Sequence, residues 1–224
     1  MTNKQIAIVI GGSSGVGKAI CNTLKNEYKV INMSRRKNNE VENIYCDVTQ
    51  PEIIKNAFKE LEQLYGIPYC MFYVSGFVEP QSIFEIDENM LQKTIEVNLL
   101  GSIRCTQTFV KLINKLYTEF KIIYIASTAG TRPSAGLSIY ASAKSALINF
   151  GLSMSEELKS YNIKVYIVSL GRVATELRKK LAPNENPNLI MQPEECANSI
   201  CELLYDKGLV DGQNIIIRKT IKNN

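Results

Sequence analysis

The sequence predicts an α/β protein of one domain, doubly wound around a parallel sheet of roughly seven strands. Three observations carry this expectation. Seven short apolar runs recur from end to end, which suits strands buried on both faces. Helical patterns of apolar residues fill the intervals between them. No internal repeat and no Pro-, Gly- or Ser-rich linker divides the chain, so residues 1–224 are expected to form one unit.

The strands are expected at Gln5–Ile10, Lys29–Met33, Ile44–Cys46, Tyr69–Val74, Lys121–Ala126, Ile163–Ser169 and Asn214–Ile217. About ten residues separate the second run from the third, so the helix expected there is short or missing. Ile53, Ile54, Ala57, Phe58, Leu61 and Leu64 recur at helical spacing. Leu91, Ile95, Leu99 and Ile103 do the same within a longer segment from about Asp87 to Leu116. Residues 138–160 and 194–205 complete the helices.

Composition narrows the chemistry. The chain has no histidine and no tryptophan. Without histidine there is no Ser-His-Asp relay and no zinc site of the common His-containing types, and no metal site is expected. Acid–base work falls to tyrosine, lysine, carboxylates, cysteine or water. The net charge of +4 is spread along the chain, with short clusters only at Arg35-Arg36-Lys37 and Arg178-Lys179-Lys180. That is too little for a nucleic-acid footprint. No apolar run approaches the roughly 20 residues of a membrane span, and the N-terminus lacks a signal-peptide pattern. Cys21, Cys46, Cys70, Cys105, Cys196 and Cys201 include no C-x-x-C pair, and most lie in apolar contexts. They read as buried thiols in a reducing compartment, most simply the cytoplasm.

The stretch IAIVIGGSSGVGKAI, residues 6–20, fits three glycine-rich turns between a strand and a helix. Gly11-Gly12-Ser13-Ser14-Gly15 fits the G-x-S-x-G elbow of a hydrolase, but its serine would lack the usual histidine base. Gly12 to Lys18 fits most of a phosphate loop, yet Ala19 stands where a magnesium-holding hydroxyl is needed. Gly11, Gly15 and Gly17 fit a dinucleotide seat, whose glycines let the backbone approach a pyrophosphate at a helix N-terminus. Alone, this spacing also suits an ordinary strand–turn–helix junction.

Support comes from STAGTRPSAGLSIYASAK, residues 127–144. Tyr140 and Lys144 are four apart and share a helix face. Ser127 stands thirteen positions before Tyr140, at the carboxyl end of the strand KIIYIAS, where ligands of such sheets bind. A lysine charge ~4 Å from a phenolate, at an effective dielectric near 20, favours ionisation by about 4 kcal/mol. That is some three units off tyrosine's ordinary pKa of about 10.

With these residues in order, the chain resembles the short-chain dehydrogenase/reductase family along nearly all its length, and the resemblance implies a Rossmann-type fold. The glycine turn is similar to the family's TGxxxGIG, with Ile10 for threonine and Val16 for isoleucine. The resemblance implies a catalytic set of Asn98 in VNLLG, Ser127, Tyr140 and Lys144. It also implies a cofactor along Gly11, Ser13, Ser14, Gly15, Val16 and Gly17, with Asp47 and Val48 of CDV at the adenine. Ser75, Gly76, Tyr140 and Lys144, then Gly171, Val173 and Thr175 of SLGRVAT, complete the seat. The family's NNAG is here Tyr73-Val74-Ser75-Gly76, and Leu170 replaces a proline.

After the second strand, Ser34 stands where an NAD site needs a carboxylate for the ribose hydroxyls, and Arg35 and Arg36 follow. Hydroxyl and guanidinium groups suit a 2′-phosphate, so NADP(H) is expected over NAD(H); the other reading of the arginines is a solvated turn. The resemblance places a mobile substrate lid at residues 176–192, where Arg178, Lys179 and Lys180 would greet an acidic substrate or form a solvated helix face. It also implies a homodimer or homotetramer built on the helices at 87–116 and 138–160. The expected function is reversible hydride transfer between the nicotinamide and a small ketone or alcohol, with no nucleic-acid or membrane partner. The alternative is a dinucleotide-binding sensor or scaffold without turnover.

Overall fold

The computed structural model of the chain describes residues 4–113, 116 and 118–219. Its centre is a seven-stranded, all-parallel sheet in the order β3-β2-β1-β4-β5-β6-β7. The strands are β1 (Ile6–Ile10), β2 (Lys29–Ser34), β3 (Glu42–Tyr45), β4 (Cys70–Tyr73), β5 (Phe120–Ser127), β6 (Ile163–Leu170) and β7 (Asn214–Ile217). Each overlaps its expected apolar run.

Alternation along each strand feeds two cores, one on either face. Ile6, Ile8 and Ile10 of β1 point into one core, where α2 (Pro51–Leu64), α4 (Gly101–Ile113) and α5 (Ser138–Leu158) pack. Ala7 and Val9 point into the other, under α1 (Gly15–Leu24) and α7 (Pro193–Cys201). A strand covered on both sides reads as an unbroken apolar run, which is why these segments were legible. All six cysteines are free and buried, Cys46 and Cys105 in the first core and the other four in the second.

The connection from β2 to β3, residues 35–41, contains no helix. Parallel neighbours usually need a crossover of a dozen residues or more. Here three asparagines hold the short one. Asn32 Nδ2 donates to Asn43 Oδ1 at 2.8 Å and to the Arg36 carbonyl at 3.1 Å. Asn43 also accepts from the Asn38 amide at 2.7 Å, and Asn38 Nδ2 reaches across to the Gly12 carbonyl at 2.9 Å. The loop is therefore fastened to the glycine turn after β1.

The helix expected from about Asp87 to Leu116 is not continuous. It begins at α3 (Glu88–Ile95), capped by Asp87, whose carboxylate accepts from the Met90 amide at 2.7 Å. It passes through one π turn at Glu96–Leu100 and resumes as α4. The apolar spacing is kept through the π turn, so periodicity alone could not reveal it. Of the predicted tail, residues 114 and 115 lie outside the described residues, and Leu116 is not helical. The last two expected helices end in 3₁₀ turns at Lys159–Tyr161 and Glu202–Leu204.

Candidate functional site

The sheet order reverses between β1 and β4, whose connections leave in opposite directions, and a cleft of about 390 Å³ opens at the carboxyl ends there. One end is the glycine turn. Gly11 has φ +96°, and a Cβ on it would stand 2.7 Å from the Ser75 amide nitrogen. A Cβ on Gly17 would stand 2.2 Å from the Gly11 carbonyl oxygen. Backbone therefore passes where side chains cannot, bringing the first turn of α1 against the end of β1.

That helix end suits an anion. Ser14 at its N-cap makes no side-chain cap, and its first turn carries no acidic residue. The orphan amides of a helix N-terminus then face the cleft. The turn also fits an extended diphosphate, because Gly11, Ser13, Ser14, Gly15, Val16 and Gly17 all line the cleft. Thr175 closes the turn from the far wall, its Cγ2 3.1 Å from where a Gly15 Cβ would be.

Beyond β2 and β3, the cleft is lined by Ser34, Arg35 and Arg36, then Asp47 and Val48. The Arg36 guanidinium donates to Ser14 Oγ at 3.3 Å, and Ser34 Oγ donates to the Arg36 carbonyl at 2.6 Å. No carboxylate stands at the tip of β2. Asp47 is turned to Thr49, accepting from its amide at 3.0 Å and its hydroxyl at 2.8 Å.

At the other end, Ser127, Tyr140 and Lys144 meet. Ser127 ends β5, and its Oγ accepts from the Ala129 amide at 3.2 Å, capping a 3₁₀ turn at Thr128–Thr131. Gly130 in that turn lies against the Lys144 backbone. Tyr140 and Lys144 occupy one face of α5, with Nζ 5.9 Å from the tyrosine ring centroid. Lys144 is buried at 3 % exposure, and Nζ donates to the Ile125 carbonyl at 2.9 Å. Desolvation lowers its pKa to about 8. Desolvation also raises the Tyr140 hydroxyl above its usual value, and a hydrogen bond with Ser127 offsets part of that. Burial sets the direction, and what offsets it comes from Ser127, not from the lysine charge that the spacing led one to expect.

Asn98 sits in the π turn, fully buried. Its Nδ2 donates to the Phe77 carbonyl at 2.6 Å and the Thr94 carbonyl at 2.9 Å, while Oδ1 accepts from the Phe77 amide at 3.2 Å. A Cβ on Gly76 would be 3.5 Å from Asn98 Oδ1 and 3.9 Å from Lys144 Nζ, so Gly76 lies between them. Asn98 thus flanks the cleft from beneath. π turns arise where a helix is bent to a special purpose.

Every other residue predicted for the site lines the cleft: Ser75, Gly76, Gly171, Val173 and Thr175. Of the basic cluster at 178–180, only Arg178 does, and it is engaged. Its guanidinium donates to Glu185 at 2.6 and 2.9 Å, and Arg172 meets the same carboxylate at 2.9 Å. The residues 176–192 form a short helix, α6 (Glu176–Leu181), and a 3₁₀ turn at Pro187–Leu189 beside the cleft. Four contributors were missed from sequence: Asn32, Asn38 and Asn43 behind the glycine turn, and Arg132 on the rim. Asn32 had a signal, a polar residue inside an apolar strand.

Among the described residues, no group of three or more Cys, Asp or Glu is placed to hold a metal ion. No described helix is long and apolar enough to cross a membrane.

Comparison with known proteins agrees with this geometry. The family model for short chain dehydrogenases matches residues 5–186. Carbonyl reductase family member 4 of Xenopus laevis is 28% identical over 217 residues, covering 89% of this chain and 91% of its own. The 3-oxoacyl-acyl-carrier-protein reductase of Escherichia coli K12 is 25% identical over 222 residues, covering 91% of each. Among solved structures, 4-hydroxyisoleucine dehydrogenase complexed with NADH superposes with a TM-score of 0.84 at 25% identity, over 96% of both chains. An actinorhodin polyketide ketoreductase with NADPH shares the fold, at TM-score 0.88 and 20% identity, over 97% of both chains.

Proposed function

The chain belongs to the short-chain dehydrogenase family, and from that premise we propose that it is a cytoplasmic NADP(H)-dependent carbonyl reductase or alcohol dehydrogenase. One observation carries the reading. Ser127, Tyr140 and Lys144 gather at one end of a cleft, with Asn98 buried behind Gly76 there, and the other end is a glycine turn flanked by Arg35 and Arg36.

The nicotinamide, when bound, supplies or takes the hydride. The chain's own residues handle the proton and the positioning. Tyr140 gives a proton to the oxygen that gains charge during reduction, or takes it in the reverse direction. Its raised pKa keeps it protonated at neutral pH, which suits the donor role. Ser127, which lines the same cleft, fixes the substrate oxygen beside Tyr140. Lys144 would hold the nicotinamide ribose, and Asn98, which fixes the backbone at Phe77, would maintain the proton path.

The absence of a carboxylate at the tip of β2 supports NADP(H) over NAD(H), because a carboxylate there would repel a 2′-phosphate. Arg36 already reaches over the turn to Ser14 and could swing to a phosphate at little loss. Oligomerisation through α4 and α5, and a mobile lid at residues 176–192, complete the proposal.

The test is a fluorescence titration with NADPH and NADH of the wild type, Arg35→Ala and Arg36→Ala. Binding of NADPH that weakens by about ten-fold in either variant, with NADH little changed, supports the assignment. A carbonyl screen with Tyr140→Phe as the inactive control follows. NADPH binding with no turnover of any carbonyl would favour a sensor; no binding of either cofactor would end the oxidoreductase reading.

A further inference from the structure

Besides Arg35 and Arg36, three arginines line the cleft, and two of them share a single carboxylate. Arg172 and Arg178 share Glu185, at 2.9 and 2.6 Å. The third, Arg132, lines the same cleft and makes no hydrogen bond or ion pair among the described residues. Its position is built rather than incidental. Pro133 follows it, and a residue before proline is driven to extended backbone. Arg132 has φ −156° and ψ 157° accordingly. The 3₁₀ turn before it is fixed at both ends. Ser127 caps it through the Ala129 amide, and Thr131 Oγ1 donates back to the Thr128 carbonyl at 2.9 Å. Gly130 seats the turn against α5, where a Cβ would come within 2.7 Å of Lys144 backbone. The loop that presents Arg132 is thereby locked to the elements that present Ser127, Tyr140 and Lys144.

Two carboxylates line the cleft among the described residues, Asp47 and Glu176. Asp47 follows β3 and is turned to Thr49. Glu176 follows Thr175, which lies against Gly15 in the glycine turn. Among the described residues, Arg132 forms an ion pair with neither carboxylate.

We infer that Arg132 is a specificity-determining residue that binds a carboxylate on the substrate, so that the physiological substrate is an oxo acid or hydroxy acid rather than a neutral ketone or alcohol. This rests on the nicotinamide-dependent reading above. A single guanidinium presents a planar fork that matches a carboxylate's two oxygens. A phosphate dianion would call on further donors, and the neighbouring arginines are held by Glu185. The expectation that Arg178, Lys179 and Lys180 greet an acidic substrate thus passes to Arg132.

The experiment uses full-length Tyr140→Phe protein, which blocks turnover, loaded with NADPH. Quenching of the nicotinamide fluorescence is followed on titration with 4-oxopentanoate and its methyl ester, and with 2-oxobutanoate and its ethyl ester. For at least one pair the acid should bind about ten-fold or more tightly than the ester. Adding Arg132→Gln should remove most of that gap, and Arg132→Lys should restore part of it. Acids that bind no better than their esters in both pairs would overturn the inference. So would an Arg132→Gln change that weakens acid and ester alike, since that is loop damage rather than lost charge recognition. If NADPH itself does not bind, the nicotinamide reading fails and this inference falls with it, an outcome separable from the other two.

Discussion

The Tyr73 hydroxyl donates to the Val97 carbonyl at 2.6 Å, tying the central strand β4 to the π turn that holds Asn98. Both groups are fully or nearly buried. A π turn leaves its carbonyls poorly matched within the helix, and here one is satisfied from the sheet. Tyr73 stands where the resembled family has the first asparagine of NNAG, so the departure at this position supplies a contact of its own.

Tyr73→Phe should strand the Val97 carbonyl and destabilise the protein by about 1–2 kcal/mol. Gly101→Ala should do more harm, because the new Cβ would fall 2.6 Å from Tyr73 Oη and 2.9 Å from Val48 Cβ. Thermal unfolding of both single variants and the double variant tests the pairing. Removal of the hydroxyl should relieve part of the Gly101→Ala clash, so the two effects should sum to more than the double variant loses. Simple additivity would show that the contact does not couple strand and turn.

Desolvation holds Lys144 at a pKa of about 8, below the ordinary lysine value of 10.5. Between those values the unfolded chain keeps a proton that the folded chain has lost, so stability from this group rises with pH across about 8 to 10.5 and is flat below. Below pH 8 the folded protein carries a penalty of about 3 kcal/mol at most. Lys144→Met removes it and loses the bond to Ile125, worth about 1 kcal/mol. The variant should therefore be inactive yet more stable than wild type at pH 7, with the advantage shrinking as pH climbs through that window. Urea unfolding at several pH values reads it; a variant less stable at every pH would refute the balance drawn here.

Lys121 on β5 is 1% exposed and donates to the carbonyls of Leu203, Leu204 and Asp206 at 3.2, 2.8 and 2.7 Å. It closes the 3₁₀ turn after α7, joining the Asp206 amide, 3.3 Å away, on the Leu203 carbonyl. Lys121→Met should lower stability by about 3 kcal/mol, visible as a fall in the urea midpoint with little change in slope. Lys121→Arg should not rescue it, because a planar fork cannot meet three carbonyls around one point.

Glu185 anchors the loop after α6 through Arg172 and Arg178, and the hydrogen bond from Arg178 holds its carboxyl below the usual range. Its contribution is present above the ordinary carboxylate pKa and fades as pH falls through the lowered folded value. Glu185→Gln should make residues 182–187 several-fold more susceptible to limited proteolysis at pH 7. On acidification the wild type should approach the variant. Equal cleavage rates at pH 7 would show that the pair does not secure the loop.

Most of the sheet was legible because β1, β4, β5 and β6 are covered on both faces and read as nearly unbroken apolar runs. The site residues at strand ends and on α5 were legible for a related reason: the carboxyl end of a strand, or a four-residue helical spacing, converts sequence position into place. Three features resisted. The π turn keeps the apolar spacing of α3 and α4 while adding a residue to one turn, so Asn98 gave no warning of its setting. The asparagine knot joins residues of β2, β3 and their loop to Gly12, contacts that exist only after the strands pair. Arg132 was quoted within a motif but not singled out, since its meaning depends on Glu185 engaging the other two arginines.

The six buried thiols divide between the two sides of the sheet, and that division makes the protein its own stopwatch. Burial pushes Cys46 up to about 12 on one side, and Cys21, Cys196 and Cys201 to about 12 on the other, so none is a ready thiolate in the folded state. An alkylating reagent can then act only when a layer opens. Mass spectrometry of the peptides bearing Cys46 and Cys105, set against those bearing Cys21, Cys70, Cys196 and Cys201, times the parting of each layer separately. Equal rates on both sides mean that the sheet sheds its two coats together; unequal rates name the coat that loosens first.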